Sequence, residues 1–580
     1  MPLFAPVEVT VEPAADGVIV RSRMPLGPIA RCVGDWLESW AERAPDRVFL
    51  GERRGDGWRT VTYAEAHRVA RGIGAALVAR GVDRPIALLS ENGIDHALLQ
   101  LGGIGVGVPV APVSPAYALQ STAFERLRSI AALLRPQVVF AADPARFGPA
   151  LRATGLDRAL VLDGAGVLAL GDTAPSAASD RATAAVGSDT VAKILFTSGS
   201  TGNPKGVVNT QRMLCSNQQA IAQAWPFLAD EPPVTVDWLP WSHTFGGNHN
   251  LFMILRNGGT MWIDGGRPAP GLVERTIDNL RTLTGSGAAP TVYFNVPRGY
   301  ELLVGPLEQD PGLRAAFFSR LRVLFYAAAA LPPPIRSRLL AVAGGSDTRF
   351  ASAWGSTETS PMSTTIHGPT DTPGCIGVPA AGTAIKLARV DDKLELRVRG
   401  PNVTPGYWTD GGPPEPPPLD ADGFLHTGDA ARLDDPDRPE RGFVFEGRLG
   451  ENFKLTSGTW VRVGPVRLAL IASCAPDVSD AVIAGEGRDE LGALLFLAPG
   501  VDRDGLRERL RAALIAHRAR HPASSEAITR VVVQSSPPSL DAGETTDKGY
   551  LNQRRVLDHR RDEVERLFAA GPADPDVIVV

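Results

Sequence analysis

Between Thr62 and Gly81 the apolar residues recur at helical spacing, with Ala66, Val69, Ala70, Ile73 and Leu77 on one face. Thr62 and Glu65 stand at the spacing of a capping box, in which each side chain satisfies an orphan amide of the first turn. Gly81 suits the stop. The pattern then changes. "PIALLSEN" is apolar without alternation, as a strand buried on both faces requires. "QVVFAAD", "ALVLDG" and "RVLFYAAAA" repeat that texture between helical stretches, and the alternation predicts parallel sheets covered by helices. The most apolar run, "ALLQLGGIGVGVPVAPV" from Ala97 to Val113, is interrupted by Gln100, two prolines and several glycines, so it reads as a buried α/β turn and not a membrane span.

The proline-rich stretch from Asp410 to Gly423 predicts an irregular surface loop. After about Arg448 the texture changes again. "DAVIAGEGRDELGALLFLAP" predicts a hairpin, and "DGLRERLRAALIAHRAR" a helix with Leu506, Leu510, Ala513 and Leu514 on one face. "ITRVVVQSS" predicts a strand and "NQRRVLDHRRDEVERLF" one last helix. With 580 residues the chain is too long for one core. The expected division is a large unit at 1–447 and a small α+β unit at 448–580.

Charge and cysteine content narrow the function classes. Lys and Arg number 59 against 64 Asp and Glu, a net charge of -5, which argues against a nucleic-acid binder. The four cysteines, Cys32, Cys215, Cys375 and Cys474, are far apart, so neither a disulfide framework nor a zinc knuckle is expected. The N-terminal stretch carries acids where a signal peptide needs bases, and the expected location is the cytoplasm.

"ILFTSGSTGNPKGVV", Ile194 to Val208, carries the most chemistry. A short strand enters a loop of Thr, Ser and Gly that ends in Lys205. Glycines let backbone amides approach phosphate oxygens, the hydroxyls of Thr197, Ser198, Ser200 and Thr201 add donors, and Lys205 adds charge. It is not a Walker loop, because the lysine is followed by a second strand, "GVVNT", with a helix only after about Thr210. A plain hairpin turn would not need so many hydroxyls. No H-E-x-x-H and no G-x-S-x-G elbow occurs, and "GSGAA" at Gly285 lacks the third glycine of a dinucleotide fingerprint.

"TSGSTGNPKG" resembles the signature loop of the adenylate-forming superfamily: acyl- and aryl-CoA synthetases, nonribosomal-peptide adenylation domains and beetle luciferases. Further segments resemble the same superfamily in the same order, over roughly residues 35 to 560. The resemblance implies a large domain of helix-covered, mostly parallel sheets with a β-barrel-like subdomain, and a small mobile α+β domain. It implies ATP, Mg2+ and coenzyme A. The phosphate loop would comprise Thr197, Ser198, Gly199, Ser200, Thr201, Gly202 and Lys205. "DWLPWSHTFGG" places His243 at the acyl pocket. "AWGSTETSP" implies that Trp354 and Gly355 hold adenine, Thr357 touches the α-phosphate and Glu358 ligates Mg2+. Asp429 and Arg448 would hold the ribose, and Lys548 would be the adenylation lysine. Taken singly, His243 suits a core histidine, Asp429 a turn or cap, and Lys548 a solvated surface.

In this superfamily the small domain rotates between two half-reactions. The resemblance puts the pivot at Gly450, where many relatives carry Asp or Lys, and assigns Lys454 and Gly458 to the thiol-accepting arrangement. "ENFKLTSGTWV" and "TDKGYLNQR" look closer to feruloyl-CoA synthases, so the expected acid is a hydroxycinnamate such as ferulate. Trp238, His243, Phe245, Tyr293, Asn295 and Tyr326 are candidates for its pocket. Free CoA is the expected acceptor, since no carrier domain follows Lys548. The other readings are a medium-chain or other aryl acid ligase, a stand-alone adenylation enzyme loading a carrier protein, and a non-catalytic relative that binds nucleotide or acyl-CoA.

Overall fold

A computed structural model describes residues 2–198, 204–269, 271–368, 372, 374–546, 551–569, 574 and 576–580. The predicted helix runs Tyr63–Ala79, and Thr62 and Glu65 close the capping box on each other. The strand Ile86–Leu89 shows why its sequence has no alternation. Ile86 and Leu88 face one apolar core, and Ala87 and Leu89 face another on the opposite side of the sheet. The run from Ala97 forms the end of the helix Ile94–Gly105 and the strand Val110–Val113, as expected of a buried α/β turn.

These strands belong to a six-stranded sheet whose spatial order is Pro204–Thr210, Val191–Ser198, Val110–Val113, Ile86–Leu89, Val138–Ala141 and Leu160–Leu162. Only the first pair is antiparallel. A second sheet of eleven strands begins with three parallel ones, Val292–Asn295, Val323–Tyr326 and Arg349–Gly355. It continues through antiparallel strands that enclose their own cluster of Val20, Ile385, Leu387, Leu396, Val398 and Phe443. These antiparallel strands occupy the place expected for the barrel-like subdomain, continuous in strand order with the parallel ones. A four-stranded sheet of Val234–Asp237, Thr260–Ile263, Val48–Arg54 and Gly57–Thr62 packs between the two.

The last sheet holds Val478–Ala484, Leu491–Leu497, Ile528–Val533 and Val577–Val579. The first two form the predicted hairpin. Ala481, Ile483, Ala493 and Leu495 face the helices Val463–Ser473 and Leu506–Arg520, while Val482, Ala484, Leu494 and Phe496 face the other way. The single final helix expected from the pattern is instead two, Gln553–His559 and Arg561–Phe568, broken at Arg560. Among the described residues no helix is long and apolar enough to cross a membrane.

Candidate active site

The phosphate-loop hairpin is built by its strands. Val191–Ser198 pairs with Pro204–Thr210 so that Lys205 stands opposite Thr197. Gly199, Ser200, Thr201 and Gly202 lie outside the described residues, as does the side chain of Ser198. A second segment clamps the hairpin from the side. The Trp408 amide donates to the Gly206 carbonyl at 2.7 Å, the Val208 amide donates to the Gly406 carbonyl at 3.0 Å, and the Thr404 hydroxyl donates to the Val208 carbonyl at 2.6 Å. This clamp puts the Tyr407 ring under Lys205, whose Nζ lies 4.8 Å from its centre. The Tyr407 hydroxyl in turn lies 3.5 Å from Glu358 Oε1. The Thr404 amide donates to the Glu358 carbonyl at 2.8 Å, which fixes the short turn Thr357–Thr359. Lys205, Tyr407 and Glu358 therefore form one cluster, although 202 residues separate the first two. Tyr407 carried no signal in the sequence, because only the tertiary clamp gives it this place.

Asp429 and Arg448 are register partners on neighbouring strands. Asp429 Oδ2 accepts from the Trp354 indole N–H at 3.0 Å, and Oδ1 lies 3.7 Å from Arg448 Nε. The carboxylate is 17% exposed whereas Arg448 is 70% exposed. Burial lifts Asp429 to about 6, against the pull of Arg448 and the indole donor. Gly355, next to Trp354, has no room for a side chain, since a Cβ there would lie 1.6 Å from the Pro361 carbonyl oxygen.

Trp354, Gly355, Asp429 and Arg448 line a cleft of roughly 2880 Å³, and His243 lines it too. Trp238, Phe245 and Tyr326 are on its wall as expected. Tyr293 and Asn295 are not. Tyr293 is buried in the helical core against Tyr300 and Phe317, and Asn295 is turned to the Trp238 indole N–H, which it accepts at 3.2 Å. The His243 segment runs into a π-helical turn, Phe245–Asn250, a geometry that recurs at functional sites. A Cβ on Gly246 would meet the Leu239 carbonyl oxygen at 2.2 Å, and one on Gly247 the Trp241 carbonyl oxygen at 2.3 Å, so the glycine pair is required by close backbone contact. The Phe245 amide donates to His243 Nδ1 at 3.3 Å, which leaves the ring proton of the neutral form on Nε2. Lys193, fully buried on the strand leading to the phosphate loop, donates to the Gly247 carbonyl at 3.3 Å. Burial lowers it to about 7.

Other expected residues are elsewhere. Lys454 and Gly458 belong to the short hairpin of Phe453–Lys454 and Trp460–Val461, away from the cleft wall. Lys454 Nζ lies 4.7 Å from the Trp460 ring, and Lys393 Nζ lies 4.5 Å from the same ring. Gly458 has φ +81, which favours glycine. Gly450 needs no glycine on steric grounds, because a Cβ there would meet nothing within 4 Å. Lys548 lies outside the described residues, but its flanks are held. Thr545 bridges to Leu551, the Asn552 amide donates to the Glu544 carbonyl at 2.8 Å, and Asp541 accepts from the Thr122 amide at 3.2 Å.

The chemistry of the donor set suits a magnesium nucleotide. Among the described residues no three His, Cys, Asp or Glu converge as a metal cage. Magnesium on a nucleotide needs only one or two carboxylates beside phosphate oxygens, and Glu358 stands in the cluster with Tyr407 and Lys205, its carboxylate 3.5 Å from the Tyr407 hydroxyl.

Residues 37–408 match the profile of a family described as AMP-binding enzyme, and residues 454–571 match that of the AMP-binding enzyme C-terminal domain. A methyl-dioxo-octahydroindenyl-propanoyl:CoA ligase of Rhodococcus jostii is 28% identical over 67% of this chain and 74% of its own. A feruloyl-CoA synthase of an Amycolatopsis species is 30% identical over 43% of this chain and 48% of its own. The structure of ATP-bound MatB from Rhodopseudomonas palustris superposes with a TM-score of 0.66 at 22% identity, over 92% of this chain and 99% of that one.

Proposed function

Because this chain belongs to the AMP-binding enzyme family, we propose that it is an ATP-dependent carboxylic acid–CoA ligase for a hydroxycinnamate such as ferulate. The observation that carries this reading is one cleft lined both by the Trp354–Asp429 pair and by Trp238, His243 and Phe245. A nucleotide and a flat, apolar acid can thus meet there. The acid's carboxylate oxygen attacks the α-phosphorus of ATP, the bond to the bridging oxygen breaks, and pyrophosphate leaves. The CoA sulfur then attacks the acyl carbonyl and gives up its proton as AMP leaves.

The roles follow from charge. Thr197, the loop hydroxyls and Lys205 meet the phosphates, with Tyr407 supporting Lys205 from below. Thr357 touches the α-phosphate, and Glu358 would ligate the Mg2+ that accompanies ATP. Asp429 and Arg448 take the ribose hydroxyls beside Trp354. Lys548 bridges the carboxylate and the α-phosphate in the first half-reaction. Lys454 and Gly458 serve the second, after a rotation of 448–580 against 1–447 about Gly450. The feruloyl-CoA synthase relative supports the choice of acid through its own name and matches less than half of either chain.

The test is a panel of ferulate, coumarate, caffeate, benzoate and fatty acids with ATP, Mg2+ and CoA, following pyrophosphate release and thioester formation separately. Hydroxycinnamates are expected to give both. Pyrophosphate without a thioester would point to a carrier-loading adenylation enzyme. No pyrophosphate with any acid would overturn the proposal.

A further inference from the structure

We propose that His249 selects the acid: its Nε2 accepts a hydrogen bond from a hydroxyl on an aromatic carboxylic acid, at a point away from the carboxylate. This rests on the ligase reading above and adds to it the residue that recognises the acid's hydroxyl. His249 lies in the π-helical turn, lines the cleft, and is 1% exposed. Its ring stacks on Phe325 with centres 4.9 Å apart and an interplanar angle of 29°, and it meets Phe245, Phe294 and Trp225 edge-on. The ring is thus packed among aromatic rings, with Asn250 as the polar neighbour at its Nδ1.

A relay fixes which nitrogen carries the proton. Asn250 Nδ2 donates to Asp237 Oδ2 at 2.8 Å, and Asp237 Oδ1 takes the Leu239 amide at 3.1 Å. With its amide nitrogen held by that carboxylate, Asn250 presents its oxygen to His249 Nδ1 at 2.9 Å. Nδ1 is then the donor, and Nε2 carries a lone pair. Burial lowers His249 to about 4, against the bond from Asn250, so the ring is neutral at working pH. Among the described residues Nε2 has no hydrogen-bond partner. A buried acceptor left unmatched is costly, and a ligand that brings a donor removes the cost. A hydroxyl does this. A methoxy group or a bare ring hydrogen at the same point leaves the lone pair unmatched.

The experiment compares acids that differ in one group: 4-hydroxycinnamate against cinnamate and 4-methoxycinnamate, and 4-hydroxybenzoate against benzoate. It is run at pH 8, where Asp237, lifted by burial to about 7 against its hydrogen bonds, is ionised and fixes Asn250. Adenylate-dependent pyrophosphate release gives kcat/KM, and calorimetry gives binding of the acid alone. The native chain is expected to favour the hydroxylated member of at least one set by about tenfold or more, because a site built to bond a hydroxyl rejects the analogue that lacks it. His249→Leu should reduce that preference to about twofold, read as the ratio of kcat/KM within each set. His249→Gln, which keeps an acceptor, should retain part of it. A preference that survives in His249→Leu would overturn the proposal. So would equal use of every set by the native chain, and that result stands even if the leucine variant does not fold. No pyrophosphate with any acid would instead remove the ligase reading itself.

Discussion

Replacing Glu544 by Gln should loosen the segment that carries Lys548 without unfolding the sheet behind it. The Glu544 carboxylate is 0% exposed. One oxygen accepts from Arg560 Nε at 2.7 Å and His559 Nδ1 at 2.8 Å, and the other accepts from Arg560 Nη2 at 2.7 Å and the Ser539 amide at 2.8 Å. Arg560, 11% exposed, also donates to the Ser536 and Pro537 carbonyls, so the pair staples 536–544 to the helix end. Burial alone would raise Glu544. The bonds from Arg560, Ser539 and His559 outweigh it and hold the group at about 2, below the ordinary 4.5. That depression corresponds to about 3 kcal/mol of stability, fully present above about pH 4.5 and lost as pH falls towards about 2. Breaking one side of a buried ion pair costs a similar ~3–5 kcal/mol. The glutamine variant is therefore expected to lose about a hundredfold in amide exchange protection across 536–546 and 551–560 at neutral pH. Adenylate formation should fall more than thiolysis of a supplied adenylate. Unchanged exchange in 536–546 and 551–560 would refute the reasoning, and so would an equal loss through Val478–Ala484 and Leu491–Leu497.

Lys548→Ala should abolish adenylate formation and leave thiolysis of a supplied adenylate largely intact; equal loss of both half-reactions, measured separately, would sink the two-arrangement proposal. With Asp429 raised to about 6 by burial, its carboxylate is available to ribose above that pH and is lost as pH falls through it, so KM for ATP should climb below about pH 6 and stay high and flat in Asp429→Asn. The same shift means that the folded chain holds this proton more tightly than the unfolded one, so this group adds stability to the ligand-free enzyme as pH falls from about 6 towards 3.8, a trend that thermal unfolding against pH would show. Gly355→Ala drives a Cβ to 1.6 Å from the Pro361 carbonyl oxygen, and should cost ~1–3 kcal/mol of stability and most AMP binding, read as a lost nucleotide-induced rise in melting temperature.

Local rules account for much of what the sequence made legible. The helix Tyr63–Ala79 is determined by a capping box and a single apolar face, both of which act within a few residues. The strand Ile86–Leu89 is legible because burial on both faces leaves no polar position. The last helix misled because Val556, Val564 and Leu567 keep a helical rhythm across the break. At Arg560 the backbone leaves the helix, at φ -103 and ψ 36, where the side chain reaches Glu544, a demand from a loop sixteen residues away.

The same division holds at the site. The order of chemically distinctive segments, from the phosphate loop through Asp429 to Lys548, is a property of the chain alone, and it was enough to name the superfamily. Close neighbours were legible when they were close in sequence, as Trp354 and Gly355 are. Tyr407 beneath Lys205, the Asp429–Trp354 bond and the Asp237–Asn250–His249 relay depend on how separate strands and a π-helical turn come to lie side by side. Periodicity reports which face of an element is buried, and says nothing of which buried atom is left without a partner. Only packing decides that His249, not a pocket candidate from the sequence, keeps a lone pair unmatched among the described residues, while Tyr293, which is such a candidate, is sealed in the core.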